Sequence, residues 1–465
     1  MEVRALFSFE RVYKVILIVV LATALFLVLF RFFDHDEFEA IHSIWKIAQG
    51  ERIYTDFANQ HHPLMYYASL PVWYLFGESV AMIIAMRMIM FFFFIGMLWC
   101  TYRMAQDVWG REVGYISVLF LASTMMFLQK AIEVRPDVPQ TFFTLWSGAH
   151  LVRYALRRER THLYASAILM GISFLFLQKA LFAVLFVGAV FLSALYKKVL
   201  PIKDICLYGG LFVLVQMPYL VYLFWSGQFQ SYLVWNWIMN AKLDVVFLPY
   251  KFMTTSFTEN SILWLFYAFG MLWFLKTPLQ RFLGAASVFL FFSVFLVPAP
   301  SQQYYMMALP FVAMVSAAGF YGIWRDAPKA YTLGMVLAVA MPFVSLGYAM
   351  TNSLSGGEYN DRQLKKIQYV LSHTKPDDFV YDGDIQFNVF RKDLDFFWFS
   401  VSPHVGQLST YKKWKGYEYD IYQLIEQKKP KIISTYTISK NLSDPRIVSF
   451  YIQSEEYPDL YIRKD

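Results

Sequence analysis

The chain has 465 residues, of which 58% are hydrophobic, 20% aromatic and only 16% charged. A soluble globular protein carries about 25% charged residues, so this composition excludes that class. The formal net charge is +7, but the basic residues are spread over short loops. They form no single stripe, which argues against a nucleic-acid partner.

Apolar segments long enough to cross a bilayer recur along most of the chain. About 20 apolar residues span the hydrocarbon core, and the first such run is residues 15–33. The pattern predicts a polytopic α-helical membrane protein with about eleven transmembrane helices. The later spans are predicted at 80–102, 113–128, 138–156, two short helices within 163–196, 205–225, 261–275, 282–297, a span after Tyr304, and 330–350.

Positive charge sets the predicted orientation. Arg4, Arg11 and Lys14 precede the first span, which places the N-terminus in the cytoplasm. Each short loop that the count places inside also carries Lys or Arg. We therefore expect a multi-pass protein of the inner (plasma) membrane, surrounded by membrane lipids.

The composition changes after residue 354. Helices are predicted at 359–373 and 417–427, and strands at 379–381 and 431–435. Alternating helices and strands are typical of a small α/β domain, and the odd number of spans places it outside. The predicted domains are residues 1–354, transmembrane with a first outer loop at 34–79, and residues 355–465, extracytoplasmic (periplasmic).

Four acidic residues follow the first span directly. Solvation at a helix exit explains Asp34 and Glu39, which we expect to be solvated charges of an outer loop that contains a helical stretch at 38–49. For Asp36 and Glu37 we favour a functional role, because further polar groups recur at other predicted outer turns.

Those turns all lie on the predicted outer side. Ionisable groups at membrane depth are costly, so they usually pair or line a cavity. Lys179 lies in the middle of an apolar hairpin, and snorkelling to the surface is the alternative explanation for it. The polar candidates are His61, His62, Lys130, Glu133, Arg135, Asp137, Lys179, Gln303, Tyr304 and Tyr305.

Carboxylates beside cations at the outer face suit transfer from a lipid-linked sugar phosphate. Lys and Arg hold the phosphate through charge-assisted hydrogen bonds. A carboxylate takes the proton from an acceptor hydroxyl as it attacks the anomeric carbon. Since phosphate is a good leaving group, a second carboxylate acting as an acid is not required.

The motifs resemble those of the C-type (GT-C) glycosyltransferases, in the branch of dolichyl-phosphate-mannose-protein mannosyltransferase-like proteins that includes the lipid A aminoarabinose transferase. The resemblance covers the whole membrane part. Its matching motifs are Asp36-Glu37 after the first span, the aromatic segment 54–67, Arg135-Pro136-Asp137, Lys179, and Gln303-Tyr304-Tyr305 before Pro310.

This resemblance implies a glycosyltransferase with a GT-C fold, a polyprenyl-phosphate-sugar donor and inverting transfer to a lipid, glycan or protein acceptor. It implies that Asp36 is the base, with Glu37 and Asp137 as further catalytic carboxylates. The expected donor-phosphate ligands are Arg135, Lys179, His61, His62 and Lys130, and the expected substrate-pocket residues are Tyr66, Gln303, Tyr304 and Tyr305.

A divalent metal ion is a further possibility, because some relatives hold a metal near this loop. His61, His62, Asp34 and Asp36 have the right ligand chemistry, although their spacing matches no recognised metal motif. Two other functions stay open. A transporter or flippase of lipid-linked glycans needs polar groups at the bilayer midplane, whereas these cluster at one face. A membrane-embedded glycan polymerase or ligase shares the outer-face site.

Overall fold

A computed structural model describes residues 2–243, 249–325, 347, 359–383, 385–399, 406–435 and 444–464. The chain divides into two compact units. Unit 1 comprises Met1–Leu29, Arg87–Leu220 and Phe247–Gly356, and unit 2 comprises Phe30–Met86, Val221–Val246 and Gly357–Asp465. The predicted span at 330–350 lies outside the described residues, apart from Gly347.

Within the described residues, five helical segments are long and apolar enough to cross a membrane. They are Tyr13–Phe30, Val80–Trp109, Gln178–Tyr196, Ile202–Trp225 and Pro278–Leu296, and two shorter apolar helices are Ser261–Trp273 and Leu309–Ile323. The polytopic helical architecture is therefore confirmed, while the number of eleven spans stays a prediction.

The other helices of the membrane part are shorter or more polar. They are Arg111–Ser123, Met125–Lys130, Asp137–Arg157, Arg160–Phe176 and Pro249–Glu259. The predicted pair of short helices within 163–196 is confirmed, because a 3-10 turn at Gln178–Ala180 separates Arg160–Phe176 from Leu181–Tyr196. That turn carries Lys179.

Hydroxyl pairs hold the helix Asp137–Arg157 against Arg160–Phe176. Thr144 and Ser173 lie 2.8 Å apart through their oxygens, and so do Ser147 and Ser166. Where apolar surface cannot drive helix association, such interhelical hydrogen bonds stabilise it. They fix the helix that begins at Asp137 beside the helix that ends next to the Lys179 turn.

Two glycines allow another close helix pair. A Cβ at Gly270 would lie 2.2 Å from the carbonyl oxygen of Val315, and one at Gly319 would lie 2.3 Å from that of Phe266. Small residues let helix backbones approach closely in membranes. The helices Ser261–Trp273 and Leu309–Arg325 therefore pack backbone to backbone.

Unit 2 contains a four-stranded sheet. Its strands are β1 (Val380–Tyr381), β2 (Ile432–Ser434), β3 (Tyr451–Gln453) and β4 (Leu460–Arg463), in the order β1-β2-β4-β3. β1 and β2 are parallel and the other pairs antiparallel. The predicted small α/β part is confirmed, and the predicted strands are β1 and β2.

Short helices complete unit 2. The described helices are His35–Ala48, Leu64–Ala68, Leu70–Phe76, Phe229–Leu233, a π-helical turn at Val234–Met239, Asn240–Lys242, Asn360–Ser372, Gln407–Lys415, Ile421–Lys428 and Pro445–Val448. An apolar cluster lies between the sheet and its helices. It consists of Tyr381, Leu394, Ile425, Ile433, Ile447 and Tyr451.

Candidate functional site

The acidic residues after the first span form the start of a helix rather than a loop. The helix begins at His35, three residues before the predicted start. Asp34 is its N-cap and accepts a hydrogen bond from the backbone N–H of Asp36 at 3.2 Å. Glu37 accepts one from the N–H of Asp34 at 3.1 Å. This reciprocal capping box satisfies N–H groups that the helix itself leaves unpaired.

Asp36 and Glu37 therefore differ in access. Glu37 is fully buried and closes the capping box. The Asp36 side chain is 30% exposed, with His35 Nε2 at 3.2 Å. A carboxylate in the first turn of a helix is stabilised by the helix dipole. Of the two, Asp36 can reach a substrate, and Glu37 supports the turn that carries it.

Glu39 corrects the expectation of a solvated loop charge. It is 7% exposed and its Oε1 accepts hydrogen bonds from Asn59 Nδ2 at 2.9 Å and Ser43 Oγ at 3.4 Å. Burial raises the pKa of Glu39 to about 8, against the lowering effect of these two hydrogen bonds. Glu39 lies on a buried face of the helix His35–Ala48, where Asn59 contacts it.

Tyr66 and the two histidines also have structural contacts in unit 2. Tyr66 is fully buried and its hydroxyl lies 3.1 Å from Asn59 Nδ2, so it corrects the expectation of a pocket residue. His62 is 2% exposed, with Nε2 3.0 Å from the Tyr232 hydroxyl. The backbone N–H of His61 donates to Asn59 Oδ1. Asn59, which the sequence reasoning missed, organises this segment.

In unit 1, Glu133 brings two predicted phosphate ligands together. Lys130 Nζ donates to both carboxylate oxygens at 3.0 Å, and Arg135 Nη1 donates to Oε2 at 3.0 Å. All three are buried, with Glu133 fully so. Two cations therefore lie against one carboxylate, which holds both in place through charge-assisted hydrogen bonds.

Asp137 and Lys179 form the second charged pair of unit 1. Lys179 Nζ lies 2.8 Å from Asp137 Oδ1 and 3.2 Å from the centroid of the Tyr304 ring. A cation over an aromatic face is attracted by the ring quadrupole. Lys179 thus turns towards protein groups instead of snorkelling to the surface.

These residues line a cleft of about 310 Å³, a volume that includes its open mouth. Part of the lining is polar. The Oε1 atom of Gln303 is buried there and has no hydrogen-bond partner among the described residues. The full lining is Asp137, Gln140, Lys179, Phe182, Ser293, Val294, Val297, Gln303, Tyr304 and Met307. A lining that combines cationic and amide groups with apolar side chains suits an amphipathic ligand.

Two outcomes at this cleft differ from the sequence-based expectation. Tyr305 is fully buried, with its ring 4.8 Å from that of Phe291, because the 3-10 turn Gln302–Tyr305 directs neighbouring side chains to different sides. Gln140 was missed. It follows Asp137 by three residues in one helix, and that spacing places both on the same face.

Of the four predicted metal ligands, only Asp34 and Asp36 belong to a group of close ligand atoms. Asp34, His35 and Asp36 offer ligand atoms that all lie within 4.8 Å of one another, and no other such group of three occurs in the described part of the chain. These nitrogen and oxygen donors fit Zn²⁺ chemistry. His35 was missed, although two aspartates flank it in the sequence. His61 and His62 do not belong to this group.

Comparisons with known proteins agree with this architecture. Residues 60–225 match the family model described as dolichyl-phosphate-mannose-protein mannosyltransferase. A search of curated proteins by sequence finds no match.

Solved structures resemble the chain over nearly its whole length. ArnT from Cupriavidus metallidurans in the apo state superposes with a TM-score of 0.70 at 11% identity, covering 98% of each chain. The same protein bound to undecaprenyl phosphate gives 0.71 at 11% identity, covering 97% of each chain. The archaeal oligosaccharyltransferase AglB from Archaeoglobus fulgidus, in complex with an inhibitory peptide and a dolichol-phosphate, gives 0.58 at 9% identity. That match covers 97% of this chain and 74% of AglB.

Proposed function

The chain has the fold of the GT-C superfamily of glycosyltransferases and matches one of its families over residues 60–225, and from that premise we propose that it is an integral-membrane glycosyltransferase. It takes a sugar from a polyprenyl-phosphate donor and transfers it to a lipid, glycan or protein acceptor. Similar proteins of this fold are described as bound to undecaprenyl phosphate or to a dolichol-phosphate.

The cleft around Lys179 is the observation that carries the proposal. A polyprenyl phosphate has an anionic head and an apolar tail. Lys179, Tyr304 and Gln303 belong to the polar lining of the cleft, and Val294 and Val297 to its apolar lining. An ammonium group binds phosphate through charge-assisted hydrogen bonds. We assign the donor phosphate to this cation, with Lys130 and Arg135 as further cations of unit 1.

The reaction needs one proton acceptor. The acceptor hydroxyl attacks the anomeric carbon, and a new C–O bond forms as the bond to the phosphate oxygen breaks. Polyprenyl phosphate leaves with the electron pair, and the hydroxyl proton passes to the Asp36 carboxylate. Attack opposite the leaving group inverts the anomeric configuration. The cations stabilise the charge that develops on the departing phosphate.

Glu37 and Asp137 take supporting roles in this proposal. Glu37 fixes the turn of Asp36 through the capping box, and Asp137 orients Lys179. Residues 1–354 form the catalytic membrane domain and residues 355–465 an extracytoplasmic domain. The basic inner loops support an inner-membrane location with a cytoplasmic N-terminus.

Asp36→Asn tests the base directly. Envelope lipids and glycans from cells with the wild-type protein, with no protein, and with the variant are compared by mass spectrometry. We expect a product that needs the wild-type protein and falls at least about a hundredfold with Asp36→Asn, because general-base catalysis contributes about 10²–10⁴-fold.

Asp56→Asn is the control, since Asp56 is also part-exposed in unit 2 but pairs with Arg52. A full product level with Asp36→Asn, at equal protein in the membrane, contradicts the assignment of the base. A lipid-linked glycan that accumulates unmodified on the inner side when the protein is absent favours a flippase instead.

A further inference from the structure

C-terminal residues hold the helix His35–Ala48 at its start. The side chain of Gln363 accepts a hydrogen bond from the Phe33 N–H at 2.7 Å and donates one to the Phe33 carbonyl at 3.0 Å. Arg31 and Tyr359 form an antiparallel bridge just before it. Gln363 therefore fixes the backbone three residues before Asp36.

A buried carboxylate holds the same helix further along. Asp393 Oδ2 accepts from Lys46 Nζ at 2.7 Å and lies 2.8 Å from His42 Nε2. The other ring nitrogen of His42 lies 2.9 Å from the carbonyl oxygen of Val389. His42 and Lys46 are four residues apart, so they share one face of the helix. Asp393 thus contacts two successive turns.

His42 and Lys46 compensate the negative charge of the buried Asp393. Burial alone would raise the pKa of this carboxyl, but His42 and Lys46 together hold it below its usual value. Removing one partner of a buried, hydrogen-bonded ion pair is strongly destabilising. The contact with Asp393 therefore fixes the position of the helix His35–Ala48 and the face that this helix turns towards Asp393.

A third contact reaches the last turn. Arg391 Nη1 donates to Glu78 Oε2 at 2.7 Å, and Glu78 Oε1 accepts from Trp45 Nε1 at 3.0 Å. Gln363, Arg391 and Asp393 all belong to the C-terminal part of the chain. The helix that begins beside Asp36 is consequently held at its start, along its middle and at its end.

We propose that Gln363 and Asp393 are positioning residues for transfer, which hold the helix His35–Ala48 so that Asp36 meets the acceptor hydroxyl. This inference rests on the proposed function. Misplacing a reacting group by about 1 Å costs about a hundredfold in rate. The C-terminal domain is on this account a part of the catalytic machinery and not an accessory domain.

Gln363→Ala and Asp393→Asn test the proposal in the full-length protein. Product is measured by mass spectrometry of the cell envelope at equal protein level. Undecaprenyl phosphate binding is measured on the purified protein by native mass spectrometry, and hydrogen exchange is followed across residues 35–48. We expect product to fall about tenfold or more, faster exchange confined to this helix, and lipid binding within about twofold of wild type.

Two matched variants serve as controls. Gln453 bonds the Pro458 carbonyl and Asp395 bonds the Tyr417 hydroxyl, and neither hydrogen bond reaches the helix His35–Ala48. Gln453→Ala and Asp395→Asn should keep the wild-type product level. Gln363→Ala keeps the test valid if Asp393→Asn fails to fold.

The outcomes separate the two proposals. If Asp36→Asn abolishes the product while Gln363→Ala and a folded Asp393→Asn keep it at the wild-type level, the positioning role is wrong and the base assignment stands. If Asp36→Asn keeps the product, the base assignment itself fails. Loss of lipid binding equal to the loss of product would also contradict positioning, since it would indicate general misfolding.

Discussion

Glu133 and Asp137 in unit 1 differ from Glu39 in unit 2 in how the burial of the carboxylate is compensated. In unit 1, Glu133 contacts two cations and Asp137 contacts Lys179. In unit 2, Glu39 is also buried, but it accepts hydrogen bonds from the neutral side chains of Ser43 and Asn59. Burial disfavours a charged group unless an opposite charge lies close. The contrast therefore predicts a protonated Glu39 at neutral pH.

This difference fits the division of work in the proposed reaction. Unit 1 keeps its cations in place through carboxylates, so that a phosphate meets a preformed positive charge. Unit 2 presents Asp36 as a part-exposed carboxylate at a helix start, while the buried neighbour Glu39 holds its proton. A neutral Glu39 adds no negative charge beside Asp36. Substitutions at the ion pairs of unit 1 and at Glu39 should therefore have different measurable effects on stability and lipid binding.

The largest expected effect comes from Glu133→Gln. The substitution leaves Lys130 and Arg135 buried without their shared carboxylate, and breaking a buried ion pair costs about 3–5 kcal/mol. We expect a large fall in the thermal unfolding temperature of the purified protein in detergent. Glu159→Gln is the control, because its side chain is 55% exposed. Equal unfolding temperatures for the two variants would contradict the contrast.

The next effect is on lipid binding, through Lys179→Met. A hydrogen bond to a charged group contributes about 1.5–3 kcal/mol, so we expect undecaprenyl phosphate to bind about tenfold or more weakly. Lys203→Met, at an exposed position in the first turn of the helix Ile202–Trp225, should bind normally. Native mass spectrometry with the lipid measures both.

A double substitution separates stability from binding. Lys179→Met alone also leaves Asp137 buried without its cation, and Asp137→Asn removes that charge. Contacting residues show coupling of about 0.5–3 kcal/mol. The double variant should therefore regain stability without regaining lipid binding. Recovery of both would indicate that Lys179 acts only as a structural partner.

The fold class and most of the polar residues of the candidate site could be predicted from the sequence alone. Long apolar runs have one stable solution in a bilayer, which is a helix, and alternating patterns indicated β1 and β2 of the C-terminal part. The Lys179 turn was predictable as well, because Gln178 and Lys179 interrupt an otherwise apolar hairpin. Each of these signals lies within one short segment.

The remaining features depend on contacts between distant segments. The burial of Glu39 requires Asn59, and the environments of His42 and Lys46 require Asp393, more than 340 residues away. No local pattern contains such information. One signal was present and missed, since Asp34 followed by Glu37 is a capping box. It would have moved the predicted helix start to His35.

Glu39→Gln tests the neutral acid through the pH dependence of stability. The pKa of Glu39 is raised by burial to about 8 from 4.5, so the folded state binds more protons than the unfolded state between these values. Stability contributed by this group is present in full below about pH 4.5 and is lost as the pH rises through 8. The variant should unfold at a higher temperature than wild type at pH 9 and similarly at pH 5. The opposite order at pH 9 would show that Glu39 is ionised and compensated.

The smallest expected effect is at the exposed pair of Arg52 and Asp56, 3.0 Å apart. Hydrogen bonding from Arg52 lowers the pKa of Asp56 below 3.8, so its contribution is present above that value and is lost as the pH falls through the folded-state pKa. This slope has the opposite sign to that of Glu39. Asp56→Asn should change stability at pH 7 by a few tenths of a kcal/mol, because solvent screens exposed pairs. A loss of stability as large as that of Glu133→Gln would contradict this expectation. It would show that exposure does not determine how much each of these carboxylates contributes to stability.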